Sequence, residues 1–285
     1  MESDVATLRF CIVGLGLIGG SFAKALRKEK AGAIYAVDVN EAALKEALKD
    51  GVIDEGDRDG SRFLSKTDIL IICLDGDVEM RWIAGHAGDF PRGLLITDVA
   101  GIKRDMPERT QALLPEGVEF LAGHPMAGRE GAGYAMADAS IFKGANYLLV
   151  PTEKNSDGAV ERVTQLAKKL GCAAVTAMDS CRHDALISYV SHLPHALATA
   201  LMNSDSFRDD VKNAAAGSFR DATRVADIND ASWAKLFMEN RDNLLREMHR
   251  FQSSLSHLSG ALERGDEAAV RTFLKEAGER KRSIQ

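Results

Sequence analysis

The first half of the chain alternates fully apolar runs with segments that are apolar on one side only. Six runs are rich in β-branched and aliphatic residues, as is typical of strands buried on both faces of a parallel sheet: LRFCIVGL, AIYAVDV, DILIICL, GLLITDV, VEFLAGH and NYLLVP. Helical spacing of apolar residues covers residues 18–30, 41–49, 104–113 and 157–170, and the run AAVTAM predicts one more strand. This alternation predicts an open, doubly wound α/β sheet of the Rossmann type.

The strand signal disappears after Asp179. Three segments carry apolar residues at helical spacing: ALISYVSHLPHALATALM, SWAKLFMENRDNLLREMHRFQSSLSHLSGAL and EAAVRTFLKEAG. We therefore predict a Rossmann-type domain over residues 1–178 and an all-helical domain over residues 179–285. Long apolar-faced helices in so small a domain often bury those faces against a second copy, so we expect a homodimer, with a self-contained bundle as the alternative.

Charge and cysteine usage narrow the functional classes. The formal net charge of −6 provides no clustered positive charge for nucleic acid or an anionic membrane, and we expect neither as a partner. The start MESDVATLRF lacks the apolar core of a secretory signal and no run is long enough to span a bilayer, which predicts a cytoplasmic protein. The scattered cysteines form no C-x-x-C pair, so we expect reduced thiols and no metal site.

A glycine-rich segment, GLGLIGGS, follows the first predicted strand and opens a helix. In this position the G-x-G-x-x-G pattern of Gly14, Gly16 and Gly19 indicates dinucleotide binding. Gly14 permits the tight turn, Gly16 lets a pyrophosphate approach the backbone, and Gly19 lets helix and strand pack closely. The helix N-terminus, which includes Leu17 and Ile18, supplies N–H donors and the positive end of a dipole.

An acidic residue, Asp38, ends the second predicted strand, AVDVN, about 20 residues further on. A carboxylate there accepts hydrogen bonds from the ribose hydroxyls and repels a 2′-phosphate. No arginine follows Asp38, which favours NAD over NADP. A role as helix cap is better suited to Asn40.

The segment FLAGHPMAG places His124 directly before a proline, where the chain is extended. The nicotinamide of a bound cofactor lies outside the carboxyl ends of such strands, and alcohol oxidation by NAD needs a group that accepts a proton near neutral pH. His124 is therefore a candidate base. The alternative is a structural or surface imidazole.

Two further clusters lie in the helical half. His192 and His195 are three residues apart and share a helix face, but no third ligand is placed to complete a metal site. Arg220 and Arg224 are four apart, and an arginine fork there would hold a substrate carboxylate in bidentate fashion. A solvated helix face with internal ion pairs is the alternative for the arginines.

Taken together and in order, the motifs GLGLIGGS, HPMAG, SHLPH and GSFRDATRVA…W resemble those of the prephenate and arogenate dehydrogenase family of tyrosine biosynthesis. The resemblance covers nearly the whole chain. It implies an N-terminal NAD(P)-binding domain, a helical dimerisation domain, and oxidative decarboxylation of prephenate to 4-hydroxyphenylpyruvate or of arogenate to tyrosine. It also implies that His124 is the catalytic base or hydrogen-bond acceptor, that Arg224 holds a substrate carboxylate, that His192 and His195 line the pocket, and that Glu130 guards its entrance.

The chain departs from the family pattern in the segment TDVAGIK, where Gly101 replaces a serine that many members carry. In the family that hydroxyl is thought to bridge the catalytic histidine and the nicotinamide, so we place Gly101 beside the cofactor. Either a water takes the place of the hydroxyl or another residue orients the imidazole of His124. We favour the water because glycine leaves space for it.

The choice of substrate depends on charges near the pocket. Arg129 stands where several members have a neutral residue, and a cation suits the dianion prephenate. A carboxylate from Asp227 or Asp230 would instead favour the ammonium group of arogenate. We expect an NAD-dependent prephenate dehydrogenase, with an arogenate or dual-specificity cyclohexadienyl dehydrogenase as the alternative.

Other proteins share this two-domain plan. The 3-hydroxyacid dehydrogenases place a catalytic lysine on the first long helix of the C-terminal domain, but this chain has none between Asp179 and Ser206. A non-catalytic NAD sensor would not need His124, His192 and Arg224 together.

Overall fold

The computed structural model describes residues 5–129, 131–208 and 210–284, and it divides into two compact units, Met1–Asp184 and Ala185–Gln285. The described strands all lie in the first unit: β1 Phe10–Val13, β2 Ile34–Val37, β3 Glu55–Asp57, β4 Ile69–Ile72, β5 Leu95–Asp98, β6 Glu119–Pro125, β7 Asn146–Val150 and β8 Ala174–Ala177. Its helices are α1 Leu17–Lys28, α2 Glu41–Lys49, α3 Ser61–Leu64, α4 Gly76–His86, α5 Met106–Leu113 and α6 Asp157–Lys169, and α7 Ser180–Ile187 contains the boundary.

The eight described strands form one sheet in the order β3-β2-β1-β4-β5-β6-β7-β8. Neighbouring strands from β3 to β6 run parallel, and the order reverses direction between β1 and β4, which is the switch point where ligands bind in such sheets. The predicted doubly wound sheet is confirmed. Strand β7 runs antiparallel to β6, and β8 runs parallel to β7. The apolar pattern does not encode this change of strand direction.

Both faces of the central strands are buried, as the continuous apolar runs predict. Along β1, Phe10 and Ile12 pack into the core on one side of the sheet, whereas Cys11 and Val13 pack into the core on the other. This is the two-residue alternation of a strand, applied to two apolar surfaces at once. Burial of each apolar side chain of this size stabilises the fold by about 1.5–3 kcal/mol. The sheet that carries the loops at its edge is therefore strongly stabilised.

In the second unit every described element is helical, as the sequence predicts. After a π-helical turn at Ser188–His192 come α8 Leu193–Met202, α9 Val211–Ala214, α10 Gly217–Thr223, a 3-10 turn at Arg224–Ala226, α11 Asp230–Glu239, α12 Arg241–Glu263 and α13 Glu267–Arg282. Phe251, Leu255 and Leu262 share one face of α12 and are exposed in the single chain. Among the described residues, no helix is both long and apolar enough to cross a bilayer.

Candidate active site

The glycine-rich loop after β1 has the shape that a pyrophosphate needs. Gly14 has a φ of +91°, and a Cβ there would collide with the carbonyl oxygen of Cys73, while a Cβ at Gly19 would collide with that of Gly14. Gly16 is the N-cap of α1, and because it has no side chain it cannot cap the N–H groups of the first turn itself. Apart from its chain neighbours and the backbone of its own helix, no described heavy atom would lie within 4 Å of a Cβ at Gly16. Open space therefore faces the N–H groups of the first helical turn, and the loop fits a bound dinucleotide.

The carboxylate of Asp38 lies directly against this loop. Its Oδ2 accepts a hydrogen bond from the backbone N–H of Leu15 at 2.6 Å, and its Oδ1 accepts one from Asn40 at 2.7 Å. The side chain of Asn40, not that of Asp38, caps α2 by accepting from the N–H groups of its first turn. Asp38 is thus held at the carboxyl end of β2 as a fixed acceptor beside the loop.

A buried ion pair fixes the backbone that precedes His124. Lys103 and Asp98 are both fully buried, and Lys103 Nζ lies 2.6 Å from Asp98 Oδ2. Lys103 Nζ also donates to the carbonyl oxygen of Gly123 at 2.6 Å, while the Gly123 N–H donates to Asp98 Oδ1 at 2.8 Å. A Cβ on Gly123 would come within 2.8 Å of the hydroxyl of Tyr147. Lys103 and Asp98 therefore hold the carbonyl oxygen and the N–H of Gly123, and Tyr147 leaves no room for a side chain at this position.

His124 stands near the carboxyl end of β6, at the sheet edge where the sequence places it. Its Nδ1 lies 3.0 Å from Nε2 of His183 in α7, and Nδ1 of His183 lies 2.7 Å from Oδ1 of Asp184. Asp184 accepts two backbone hydrogen bonds as well, from the N–H of Lys103 at 2.9 Å and from that of Arg104 at 2.8 Å. His183 is fully buried and Asp184 nearly so.

The sequence reasoning did not find His183 and Asp184. Their only signal in the chain is a histidine next to an aspartate, in the segment SCRHDAL, near the start of an apolar-faced helix. Fifty-nine positions separate His183 from His124, and no periodicity reports such a contact.

Besides Asp98 and Asp184, a third buried acidic side chain is that of Glu79, in the first turns of α4. Neither carboxylate oxygen has a hydrogen-bond partner among the described residues. Burial raises the pKa of Glu79 well above its usual range; Asp98 raises it further, and Lys103 opposes the shift. Burial and the charge of Asp98 therefore both favour the protonated form of Glu79, while Lys103 and Asp98 form an ion pair with each other.

In the second unit, His192 and His195 lie beside two aromatic rings. The ring of His195 stacks on Trp233 with 3.7 Å between centroids, and its Nδ1 lies 2.8 Å from the carbonyl oxygen of Ser191. Burial lowers the pKa of His195, the Ser191 carbonyl opposes this, and the charge of Arg224 lowers it further. His192 is buried, with Nδ1 3.5 Å from Nδ2 of Asn240. Sequence reasoning missed Trp233 as a member of this cluster.

The remaining predicted site residues are placed as follows. Arg129 is exposed, and its guanidinium lies 3.4 Å from Oδ2 of Asp138, which offsets part of its charge. Gly101 is partly buried in the loop between Asp98 and Lys103. Arg220 is exposed on α10, Arg224 is exposed at the start of the 3-10 turn that follows, and Glu130 lies outside the described residues.

Cys11, Cys73, Cys172 and Cys181 are free thiols. Within residues 5–129, 131–208 and 210–284, no group of three or more His, Cys, Asp or Glu side chains is arranged to hold a metal ion.

Two family models match this chain. The nucleotide-binding domain of prephenate dehydrogenase matches residues 22–176, and the dimerization domain of prephenate dehydrogenase matches residues 179–276. Among curated relatives, the prephenate dehydrogenase of Bacillus subtilis is 33% identical over 275 residues, which cover 93% of this chain and 73% of the relative. The cyclohexadienyl dehydrogenase of Zymomonas mobilis is 27% identical over 282 residues, covering 93% of this chain and 92% of the relative.

A solved structure resembles the chain over its whole length. Prephenate dehydrogenase from A. aeolicus, in complex with hydroxyphenyl propionate and NAD+, superposes with a TM-score of 0.87 at 28% identity, covering 98% of this chain and 99% of that one. The resemblance seen in the sequence motifs is thereby confirmed, as is the plan of a nucleotide-binding domain followed by a helical dimerization domain. The chain belongs to the prephenate dehydrogenase family of oxidoreductases in tyrosine biosynthesis.

Proposed function

We propose that the protein is an NAD-dependent prephenate dehydrogenase that converts prephenate to 4-hydroxyphenylpyruvate by oxidative decarboxylation. The observation that carries this proposal is the imidazole of His124, which stands at the carboxyl end of β6 with Nδ1 hydrogen-bonded to His183. This is the edge of the sheet at which a dinucleotide presents its nicotinamide. A histidine there suits the abstraction of a proton from an alcohol.

In this reaction His124 accepts one proton and later returns it. As the C4–H bond of the substrate breaks, His124 accepts the proton of the C4 hydroxyl, and the carbon–oxygen bond becomes a carbonyl. NAD, when bound, supplies the acceptor for the hydride. Loss of the ring carboxylate as CO₂ then sends its bond electrons into the ring, which becomes aromatic, and His124 returns the proton to the phenolic oxygen. Atoms and charge balance without any further oxidant.

The preference for NAD rests on Asp38. Its carboxylate is held by the backbone N–H groups of Leu15 and Asn40. There it would accept hydrogen bonds from ribose hydroxyls, whereas a 2′-phosphate would bring a second negative charge against it. The residue after it, Val39, is exposed and has no charge to offset such a phosphate. The proposed cofactor contacts are Gly14, Gly16, Leu17, Ile18, Gly19, Asp38 and Gly101.

Prephenate carries two carboxylates, and we assign one of them to the guanidinium of Arg224. His192 and His195 are proposed to line the same pocket, with His195 acting as a neutral donor or acceptor because burial lowers its pKa. Arg129 would contribute a second, partly compensated cation, and Glu130 would stand at the entrance.

The assembly we propose is a homodimer through the helical domain, whose proposed bounds are residues 179–285, after an NAD-binding domain of residues 1–178. Support comes from the dimerization-domain match and from the exposed apolar face of Phe251, Leu255 and Leu262 on α12.

A second candidate is arogenate or dual-specificity cyclohexadienyl dehydrogenase activity. Asp227 and Asp230 are exposed close to Arg224 in the chain, and a carboxylate there suits the ammonium group of arogenate. Asp138 also offsets part of the charge of Arg129, which weakens the argument for a dianion.

The test is NADH formation by the purified protein with NAD and either prephenate or arogenate. We expect kcat/KM for prephenate to exceed that for arogenate about tenfold or more, a difference of about 1.4 kcal/mol. Arg129→Gln should lower kcat/KM for prephenate more than for arogenate, and Arg92→Gln, an exposed arginine paired with Glu116, is the matched control. A higher kcat/KM for arogenate would establish the second candidate. Turnover of neither substrate by a protein that binds NAD would overturn the proposal.

A further inference from the structure

We propose that His183 and Asp184 position His124 and set its tautomer, through the chain of hydrogen bonds Asp184–His183–His124. This inference rests on the proposed function, because it concerns the base of that reaction.

The direction of each hydrogen bond follows from Asp184. An ionised carboxylate only accepts, and Asp184 already accepts from the backbone N–H groups of Lys103 and Arg104, which hold both of its oxygens in place. At 2.7 Å, Nδ1 of His183 must therefore be the donor to Asp184 Oδ1. A neutral imidazole has a single N–H, so Nε2 of His183 is an acceptor.

The same reasoning extends to His124. Because Nε2 of His183 accepts, Nδ1 of His124, 3.0 Å away, is the donor. The lone pair of neutral His124 is then on Nε2, and Nε2 is the atom that takes the proton of the substrate. The opposite tautomer would place a hydrogen on Nε2 and leave no base there, so the carboxylate selects the active form through two rings.

Burial makes this selection strong. His183 is fully buried and Asp184 is 4% exposed, so water does not compete for their hydrogen bonds. Lys103 and Asp98 pair with each other and hold Gly123, the residue before His124. Protonated His124 donates through Nδ1 to His183, with the charge of Asp184 behind it, so the chain also favours the imidazolium that forms during the reaction.

The chain of imidazoles also meets the need created by Gly101. With a glycine in place of the serine common in the family, the loop after β5 has no hydroxyl to orient His124. Of the two routes that the sequence leaves open, a water or another residue, the geometry points to the second, with His183 as that residue.

The variants that test this differ in one acceptor atom. In His183→Gln the amide oxygen reaches the place of Nε2 and accepts from His124, whereas His183→Leu has similar bulk and no acceptor. We expect His183→Leu to lower kcat about 100-fold, as for a base held in the wrong tautomer, and His183→Gln to stay within about tenfold of the wild type. KM for prephenate and Kd for NAD should change less than about threefold in both. His86→Gln is the control: His86 is another buried histidine of the first unit, hydrogen-bonded to Trp82, and its replacement should leave kcat unchanged.

Two readouts separate positioning from mere loss of packing. The acid limb of the pH profile of kcat/KM should move to lower pH in His183→Leu, because protonation of His124 loses its acceptor, and should move less in His183→Gln. Equal loss of kcat in both variants with an unmoved acid limb would overturn the proposal.

The second readout needs neither substrate nor a variant of His183. In ¹⁵N-histidine-labelled wild-type protein, with the His124 signals assigned from His124→Asn, the proton of neutral His124 should be on Nδ1. A proton on Nε2 would overturn the proposal whatever the enzyme turns over. Failure of the proposed function would instead appear as absent turnover of both substrates with the Nδ1–H tautomer intact.

Discussion

Replacing Lys103 with methionine should destabilise the nucleotide-binding unit more than any surface change, because it leaves the carboxylate of Asp98 buried without its cation. At 2.6 Å and an effective dielectric constant of about 20, the attraction that is lost is on the order of 6 kcal/mol. Asp98 keeps two backbone donors, Gly123 and Ala100, which offset part of this. We therefore expect the free energy of unfolding to fall by about 3–5 kcal/mol.

The assay is urea unfolding followed by fluorescence of Trp82, which lies on α4 of the same unit; a Trp233→Phe background removes the other tryptophan. Protomer concentration is held fixed, since any dimer contributes to stability. Asp98→Asn in the Lys103→Met background removes the unpaired charge, so the double variant should recover about 2 kcal/mol relative to Lys103→Met alone. Lys45→Met, an exposed lysine on α2, is the matched control and should change the free energy by less than about 0.5 kcal/mol.

A fall in the free energy of unfolding of less than about 1 kcal/mol for Lys103→Met, with an unchanged urea m-value, would refute the reasoning, because a buried carboxylate without a cation destabilises a fold by more than that. Additivity of the two substitutions would refute it as well. Where the protein folds, kcat should fall with little change in the Kd for NAD, since Lys103 also holds the carbonyl oxygen of Gly123, next to His124.

Three further predictions concern titration, assembly and cofactor choice. Because the pKa of Glu79 is raised in the folded state, its protonated form stabilises the wild type at low pH, and this stabilisation is lost as pH rises above the usual pKa near 4.5. The Tm of Glu79→Gln relative to that of the wild type should therefore increase from pH 5 to pH 8. A pH-independent difference in Tm would contradict this. Leu255→Asp should convert the proposed dimer to monomer in light scattering at micromolar concentration, whereas Gln252→Asp, also exposed on α12, should not; a dimeric Leu255→Asp would place the interface elsewhere. Asp38→Asn should reduce the preference of kcat/KM for NAD over NADP about tenfold or more, because it removes the charge that opposes the 2′-phosphate, and an unchanged ratio would exclude that role.

The sequence predicts the sheet well because its central strands are buried on both faces and so appear as continuous apolar runs. It misses β3, the segment Glu55–Asp57, because a short polar edge strand has no such signal. It misses the reversal of β7 because direction depends on the connection between strands rather than on their composition. The family was recognisable from motifs that have local spacing.

The candidate site could be predicted only where its parts are local. The glycine loop, Asp38 and His124 each stand at the end of a strand, and their spacing reports it. His183 and Asp184 meet His124 through a contact across the fold, and they are buried polar residues that a helical pattern does not distinguish from core. Arg129 was expected to face a substrate, but its pairing with Asp138 depends on loop geometry that no pattern carries.

The most direct test of the account is the kinetics of His124→Asn beside the wild type, measured as NADH formation from prephenate across pH. The wild type should lose kcat/KM toward acid pH as the imidazole takes up a proton. His124→Asn should lose kcat about 10²–10⁴-fold and show no such acid limb, with an unchanged Kd for NAD. Retention of kcat by His124→Asn, or an equal loss of NAD binding, would contradict the assignment of His124 as the base.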